Sequence, residues 1–330
     1  MASLRFWGII FCAAVLTGCE QPPAGGPAAG GPKPATPAAA GEKVIGVSLL
    51  TLDNPFFKVI GNHIESEGEK HGYKTTVLSA DKDSPRQHSQ MKEFIVQKVA
   101  AIVISPCESR AIVPAIQEAN AAGIPVFTVD IPCLEPGVEI VSQIATDNYG
   151  GGKEAARAMI EALGEKGGKI AILNAKKFES CRLRVKGFTE VIKEHNAKGG
   201  NPIEIVGEYE SSGAKETGFN AGLDAVQKDP DLVGIFAIND PAALGAYTAL
   251  EQSGKAKKVV LIGFDGQPEG KQAIKEGKIY ADPIQFPDKM GVKVVEAIVD
   301  HAAGKQVKPE QLIPTALYRK ADAEKDKELK

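Results

Sequence analysis

The chain has 330 residues, of which 43% are hydrophobic and 25% are charged, and its formal net charge is −3 at neutral pH. This composition is typical of a folded soluble protein and excludes a largely disordered chain. The nearly balanced charge argues against a nucleic-acid partner, which favours an excess of lysine and arginine. The length allows two domains of ordinary size.

The amino terminus predicts export. Arg5 precedes an apolar run, residues 6–16, that ends in the sequence Leu-Thr-Gly-Cys with the cysteine at position 19. This run is shorter than the roughly 20 residues of a membrane-spanning helix, so residues 1–18 are predicted to be a cleaved signal peptide. Leu-Thr-Gly-Cys also resembles a bacterial lipobox, which implies acylation of Cys19 and a lipid anchor on the extracytoplasmic, or periplasmic, side of a membrane. The alternative is an ordinary signal peptide followed by an unmodified cysteine.

Two further segments are predicted to lie outside any core. Residues 19–42 are rich in Pro, Ala and Gly and lack apolar periodicity, so we expect a semi-flexible tether between the anchor and the folded part. Residues 321–330 are mostly charged and are predicted to form a solvated tail.

Between these segments, short β-rich apolar runs alternate with amphipathic stretches of helical length. The first set of predicted strands comprises residues 44–50, 74–80, 100–105, 125–130 and 141–146. The second set comprises residues 169–174, 203–208, 234–239, 259–265 and 279–285. This alternation predicts parallel sheets built from βαβ units, and its repetition predicts an α/β protein with two Rossmann-like lobes.

Polar residues or turns follow the predicted strands of both sets. Examples are Asp53-Asn54, Ser105-Pro106, Asp130, Asn239-Asp240 and Asp265-Gly266. In open parallel sheets, ligands bind beyond the carboxyl ends of the strands. The two lobes are therefore predicted to share one ligand-binding cleft.

Seven motifs in this region resemble, in order and near spacing, those of ribose-type periplasmic binding proteins. They are TLDNPFF at 51–57, VD at 129–130, ATDN at 145–148, KGF at 186–188 preceded by Arg182, FAIND at 236–240, GFDG at 263–266 and QFPD at 285–288. The resemblance implies a type I periplasmic binding protein fold and a sugar-binding receptor of an ABC import system. It also implies a monomer that delivers a small neutral sugar or polyol to a permease by closing its lobes, without a cofactor, a bound metal or a reaction.

The same resemblance implies that the chain crosses between the lobes three times. The amino-terminal lobe is expected to comprise residues 43–146 and 286–312, and the carboxy-terminal lobe residues 147–285 and 313–320. The crossings near Thr146, Gln285 and Ile313 would form a three-segment hinge.

Nine residues are candidates for ligand contact: Asn54, Phe56, Phe57, Ser105, Asp130, Arg182, Asn239, Asp265 and Gln285. Aromatic rings pack against the C–H faces of sugars, while carboxylates, amides and guanidinium groups bind hydroxyls. Structural alternatives remain, since the rings could be core residues, the aspartates and Asn54 could cap helices or turns, and Arg182 could lie on the surface. Arg184, two positions further along the helix, would face another way.

Three positions depart from the ribose-type pattern, and they make ribose a less expected ligand than another sugar. Ser105 stands where the family has asparagine, Ile131 where it has arginine, and Gly213 where it has an aromatic residue. Phe178 or Tyr209 could supply the missing ring, or either could serve packing alone.

Other functions were weighed against this one. A sensor that presents its ligand to a chemoreceptor or histidine kinase would use the same cleft and stays open as an alternative. A repressor of this fold needs a helix-turn-helix before the first lobe, where the sequence has a signal and a tether. An α/β enzyme would need a catalytic motif such as H-E-x-x-H or G-x-S-x-G, and none occurs. Neighbouring strands would also allow a disulfide between Cys107 and Cys133, with Cys181 reduced.

Overall fold

The computed structural model describes residues 43–329. The predicted signal peptide, the tether and Cys19 lie outside the described residues. Within the described range the chain forms two six-stranded sheets, each covered by helices. No helix in that range is both long enough and apolar enough to cross a bilayer.

The first half of the chain alternates strand and helix as the sequence predicts. Its elements are β1 (Lys43–Leu49), α1 (Pro55–Lys70), β2 (Tyr73–Ser79), α2 (Ser84–Gln97), β3 (Ala101–Ile104), α3 (Val113–Ala121), β4 (Val126–Val129) and β5 (Ser142–Thr146). The next elements are α4 (Asn148–Leu163), β6 (Gly168–Asn174), α5 (Glu179–Ala197), β7 (Ile203–Glu210), α6 (Lys215–Lys228), β8 (Leu232–Ala237), α7 (Asp240–Gln252), β9 (Val260–Ile262), α8 (Pro268–Lys275) and β10 (Ala281–Ile284).

Four further elements, two helices and two edge strands, complete the described chain. They are α9 (Pro287–Ala302), β11 (Glu310–Ile313), β12 (Ala316–Arg319) and α10 (Lys320–Ala323). The strand order is β11-β5-β4-β3-β1-β2 in the first sheet and β12-β10-β9-β8-β6-β7 in the second. The two sheets therefore have equivalent orders. All pairings are parallel except that of β12 with β10.

The central strands are buried on both faces, which explains their continuous apolar sequences. In β1, Ile45, Val47 and Leu49 are fully buried, and the intervening Gly46 lies under the ring of Phe94 from α2. Helices α1 and α9 pack together on one side of the first sheet, while α2 and α3 contact each other on the other. The α/β class with two Rossmann-like lobes is confirmed.

The chain passes from one sheet to the other at three places. It leaves the first sheet after Thr146 for α4, returns after Ile284 to α9, and leaves again after Ile313 for β12. The first and third passages are tied by a hydrogen bond of 2.8 Å from the Asp147 amide to the Ile313 carbonyl. Each passage is only one or two residues long, so a few backbone torsions determine the angle between the lobes.

The charged end of the chain is more ordered than the expected solvated tail. Ala323 is fully buried, the Tyr318 hydroxyl donates to Asp326 at 2.9 Å, and Lys271 of α8 lies 3.5 Å from the same carboxylate. Most of residues 321–329 are exposed, as their charge predicts, while Ala323 and Asp326 attach the segment to the rest of the second lobe.

Candidate functional site

A cleft lies at the carboxyl ends of both sheets, with a cavity of about 90 Å³. It is lined by Leu50, Thr51, Asn54, Phe56, Phe57, Lys82, Asp130, Ile131, Ala175, Phe178, Ser180, Cys181, Arg184, Ser212, Gly213, Ile238, Asn239, Asp265 and Gln285. Seven of the nine residues predicted from the sequence are in this set. The two exceptions are Ser105 and Arg182.

Two carboxyl groups face the cleft from equivalent places in the two lobes. Asp130 follows β4 and Asp265 lies just beyond β9. Both have positive φ angles, 64° and 109°, which L-residues other than Asn and Asp rarely adopt. Backbone strain of this kind costs on the order of 1–3 kcal/mol and is concentrated at functional sites. The fold thus holds both acids in an unfavourable conformation that directs them to the cleft.

Asp130 is short of hydrogen-bond donors. Its side chain is 5% exposed, and its Oδ1 has no hydrogen-bond partner among the described residues. Burial raises the pKa of Asp130 to about 7, although Arg184 opposes the rise. A buried acceptor without a donor is costly, so this group is well suited to bind a ligand hydroxyl.

Asp265 has the opposite environment, because several donors surround it. Arg184 Nη1 lies 3.0 Å and Gln285 Nε2 2.5 Å from its Oδ1, while Gln267 Nε2 lies 3.3 Å from Oδ2. Burial raises the pKa of Asp265, and the Arg184 guanidinium lowers it. This carboxyl has oxygen lone pairs left for ligand hydroxyls, since a carboxylate accepts about four hydrogen bonds.

Aromatic rings enter the cleft from both lobes. Phe56 and Phe57 at the start of α1 meet edge to face at 5.4 Å, and both belong to the core as well as to the cleft wall. Phe178 faces them from the second lobe, with Lys177 Nζ 4.9 Å from its ring centre. Of the two rings that could replace the aromatic residue missing at Gly213, Phe178 therefore lines the cleft. Tyr209, the other candidate ring, lies outside the cleft lining.

The prediction that Arg182 contacts the ligand was wrong, because Arg184 lines the cleft and Arg182 does not. Arg182 forms an ion pair with Glu179, donates to the Lys176 carbonyl at 2.6 Å and lines an outer groove along α5. Arg184 is 4% exposed and lies over the Phe264 ring at 3.9 Å. Residues two apart on a helix point about 200° away from each other, so only one of them can face the cleft.

The prediction for Ser105 was also wrong. Ser105 is fully buried behind the cleft wall, where its carbonyl accepts a hydrogen bond of 2.9 Å from Gln87 Nε2. Gln87 Oε1 in turn accepts from the Cys107 amide at 2.7 Å. The Gln87 side chain therefore bridges the backbone on both sides of Pro106, and Ser105 is not part of the cleft lining.

The three amides remain at the cleft, and two of them also cap helices. Asn54 Oδ1 accepts from the Phe56 amide at 3.0 Å, and Asn239 Oδ1 accepts from the Ala242 amide at 3.1 Å. Asn239 Nδ2 donates to the Gly213 carbonyl at 2.9 Å. The side-chain oxygen atoms of Asn54 and Asn239 therefore cap helices, and the side-chain NH₂ group of Asn54 is left for the cleft. The third amide, that of Gln285, donates to Asp265.

The three cysteines in residues 43–329 are unpaired, so the structure does not contain the disulfide that the neighbouring strands would allow between Cys107 and Cys133. Cys107 packs in the cluster that contains Phe57, whereas Cys133 packs with the α2 and α3 side of the sheet. The Cys133 thiol donates to the Ser109 carbonyl at 3.2 Å. Burial raises the pKa of Cys107 and of Cys181 to about 11, so both are unreactive at neutral pH.

Several cleft residues escaped sequence reasoning. Lys82 lies in the Asp81–Asp83 turn, where it has a left-handed backbone at φ 62°. Ser180 and Cys181 come from the first turn of α5, and Ser212 comes from the loop after β7. Nothing in the local sequence around Lys82 shows which way its side chain faces. No group of three or more His, Cys, Asp or Glu side chains in residues 43–329 is arranged to hold a metal.

Comparison with known proteins agrees with this architecture. A family model described as a periplasmic binding protein domain matches residues 45–306. The fold and the two-sided cleft define a solute-binding protein, and the chain belongs to the periplasmic binding protein family. A ribose import binding protein of Bacillus subtilis is 35% identical over 295 residues, 89% of this chain and 91% of that protein. A D-apiose import binding protein of Paraburkholderia graminis is 31% identical over 88% of this chain and 92% of its own length.

Solved structures give the same result. An ABC transporter solute-binding protein from Bacillus halodurans with bound myo-inositol is 26% identical, with a TM-score of 0.78 over 87% of this chain and 98% of that chain. A periplasmic solute-binding protein from Actinobacillus succinogenes with bound D-allose is also 26% identical, with a TM-score of 0.79 over 86% of this chain and 100% of that chain. These relatives are binding proteins rather than enzymes.

Proposed function

We propose that this protein is the extracytoplasmic sugar-binding receptor of an ABC import system. The observation that carries the proposal is the pair of strained, buried acids, Asp130 and Asp265, that face one cleft from opposite lobes. A ligand with several hydroxyls can donate to both acids at once, and only when the lobes are together. The relatives named above import or bind ribose, D-apiose, D-allose and myo-inositol, which share this chemistry.

The rest of the cleft supports a neutral polyhydroxylated ligand. Phe56, Phe57 and Phe178 offer apolar surfaces for C–H faces, while the surrounding amides and Arg184 serve hydroxyls. Of the two cations among the described lining residues, Arg184 is buried and already paired with Asp265, and Lys82 is exposed, so neither is a buried partner for an anionic group. Closure of the lobes, rather than a reaction, would be the signal presented to a permease.

The test is a titration of the protein with D-ribose, D-apiose, D-allose and myo-inositol by calorimetry, with Asp130→Asn beside the wild type. Asn tolerates the positive φ of this position, so the variant keeps the fold while losing the charge. Hydrogen bonds to charged groups contribute about 1.5–3 kcal/mol, which predicts roughly 10- to 150-fold weaker binding. Asp224→Asn, an exposed substitution on α6, should bind as the wild type does.

Two outcomes would count against the proposal. One is the absence of binding for every sugar or polyol tested with the wild type, and the other is unchanged affinity in Asp130→Asn. Because Ile131 and Gly213 replace an arginine and an aromatic residue of ribose-type sites, we expect D-ribose to rank below another member of the panel.

We also propose that the mature protein is a monomer that begins at an acylated Cys19 and remains attached to a membrane by that lipid. The support is the lipobox-like sequence after a short apolar run, followed by residues 20–42 as a spacer. Mass spectrometry of the natural amino terminus tests the anchor. A diacylated cysteine is expected, whereas an unmodified cysteine or cleavage at another position would overturn it.

A further inference from the structure

Five buried side chains form a closed ring of hydrogen bonds beside the cleft. Thr146 Oγ1 donates to Gln285 Oε1 at 2.6 Å, and Gln285 Nε2 donates to Asp265 Oδ1 at 2.5 Å. Arg184 Nη1 donates to the same Asp265 oxygen at 3.0 Å, and its Nε donates to Asn148 Oδ1 at 2.8 Å. Asn148 Nδ2 closes the ring by donating to the Thr146 carbonyl at 3.1 Å. Each member is at most 7% exposed.

The ring connects residues that line the cleft with residues at the passages between the lobes. Arg184, Asp265 and Gln285 line the cleft, whereas Thr146 and Asn148 do not. Thr146 and Asn148 instead flank the first passage between the lobes, and Gln285 begins the second. The ring therefore connects the backbone that must turn during closure with the groups that face the ligand.

The direction of each hydrogen bond is fixed by chemistry. The Asp265 carboxylate can only accept, so the Gln285 amide must direct its nitrogen to Asp265 and its oxygen to Thr146. That oxygen can only accept, so the Thr146 hydroxyl must donate. Arg184 likewise can only donate, which directs the Asn148 oxygen to it. Thr146 and Asn148 thus fix the orientations of Gln285 and Arg184, the two ring members that donate to Asp265.

We infer that Thr146 and Asn148 are positioning residues for sugar binding, which hold the Arg184–Asp265 pair in its binding geometry at one particular angle between the lobes. The inference rests on the proposed function and extends it to residues that do not touch the ligand. Buried hydrogen bonds in a connected network tolerate little distortion, because each lost partner leaves a desolvated polar group. A change of backbone torsion at the first passage would break the hydrogen bonds of Thr146 or Asn148 before the Arg184–Asp265 pair moved as a unit.

The test compares Thr146→Val with Thr146→Ser. Valine has nearly the shape of threonine but leaves Gln285 Oε1 without its donor, whereas serine keeps the hydroxyl. Binding of the tightest ligand among D-ribose, D-apiose, D-allose and myo-inositol is measured by calorimetry. We expect binding at least 10-fold weaker in Thr146→Val and within 3-fold of the wild type in Thr146→Ser. Thr248→Val is the matched control, because its hydroxyl bonds only to the Leu244 carbonyl within α7.

A second readout needs no ligand. Small-angle scattering of the ligand-free proteins should give a larger radius of gyration for Thr146→Val than for the wild type, Thr146→Ser or Thr248→Val. Asn148→Ala should behave as Thr146→Val does and replaces it if valine prevents folding. Wild-type affinity together with a wild-type radius in Thr146→Val or Asn148→Ala would overturn the inference. Failure of the wild type to bind any of the four compounds would instead contradict the proposed function, and the scattering result would still decide this inference.

Discussion

The contact between α4 and α5 predicts that Gly152→Ala destabilises the second lobe and weakens sugar binding at the same time. A Cβ atom on Gly152 would overlap the carbonyl oxygen of Arg184 and lie 2.8 Å from its carbonyl carbon and 3.0 Å from its Cα. These are backbone atoms, which cannot rotate away as the end of a side chain can. The two helices must therefore move apart.

The size of the effect follows from these distances. Non-bonded carbons prefer about 3.5–4.0 Å, so α5 must shift by about 1 Å at Arg184. Overpacking costs about 1–3 kcal/mol, while alanine in a helix interior returns up to about 1 kcal/mol relative to glycine. We expect a net loss of about 1–2 kcal/mol, which lowers Tm by about 2–8 °C for a protein of this size. Displacement of Arg184 also removes a hydrogen bond from the ring, for a further loss of roughly 10-fold in sugar affinity.

Thermal melts followed by circular dichroism, with calorimetric titration of the same samples, measure both effects. Arg157→Ala, an exposed change on the same helix, is the control and should stay within about 0.5 kcal/mol of the wild type. A Gly152→Ala protein that melts and binds like the wild type would refute the reasoning. It would mean that α4 and α5 are further apart than the structure has them.

Two other predictions concern buried acids and thiols. Asp240 and Asp282 are neighbours in a fully buried site, where burial raises the pKa of both carboxyl groups, that of Asp282 to about 6. The raised pKa of Asp282 contributes stability that is present below the unfolded value of 3.8 and is lost as pH rises through 6, a change of about 3 kcal/mol. Asp282→Asn should show a smaller loss than the wild type in melts from pH 4 to 7.5, because only the raised pKa of Asp240 remains, and parallel curves for the two proteins would contradict it. For the thiols, denatured and unreduced protein with an acylated Cys19 should show three reactive groups, from Cys107, Cys133 and Cys181, whereas a count of one would indicate a disulfide.

The strands were predictable because burial on both faces gives each of them an apolar local sequence. A strand buried on both faces needs a continuous apolar run, as at Ala101–Ile104, and the polar residue after it, here Ser105, marks the carboxyl end. The prediction of one shared cleft followed from the polar residues at those carboxyl ends. The boundaries were less certain, since β9 comprises only Val260–Ile262 where a run to Asp265 was predicted. The chain beyond Ile262 bends to give Asp265 its positive φ.

The direction of side chains was harder to predict than their position along the chain. Arg182 and Arg184 have the same chemistry and lie two positions apart, so which of them faces the cleft depends on the phase of α5, which begins at Glu179. Ser105 was assigned to the cleft from its place after β3, but Gln87, which comes from α2, covers it. Contacts between segments distant in sequence decided both cases, and no local pattern contains that information.

The arrangement of the first sheet has a consequence for how the protein is made. Its edge strand β11 and the helix α9 that covers α1 come from residues 287–313, after the whole second sheet except β12. A growing chain that ends at Thr146 therefore exposes the apolar face of α1 and the open edge of β5. Domains normally fold one after another during synthesis, but here the first lobe must wait for nearly the last residues. The first lobe is therefore completed only when almost the whole chain has been synthesised.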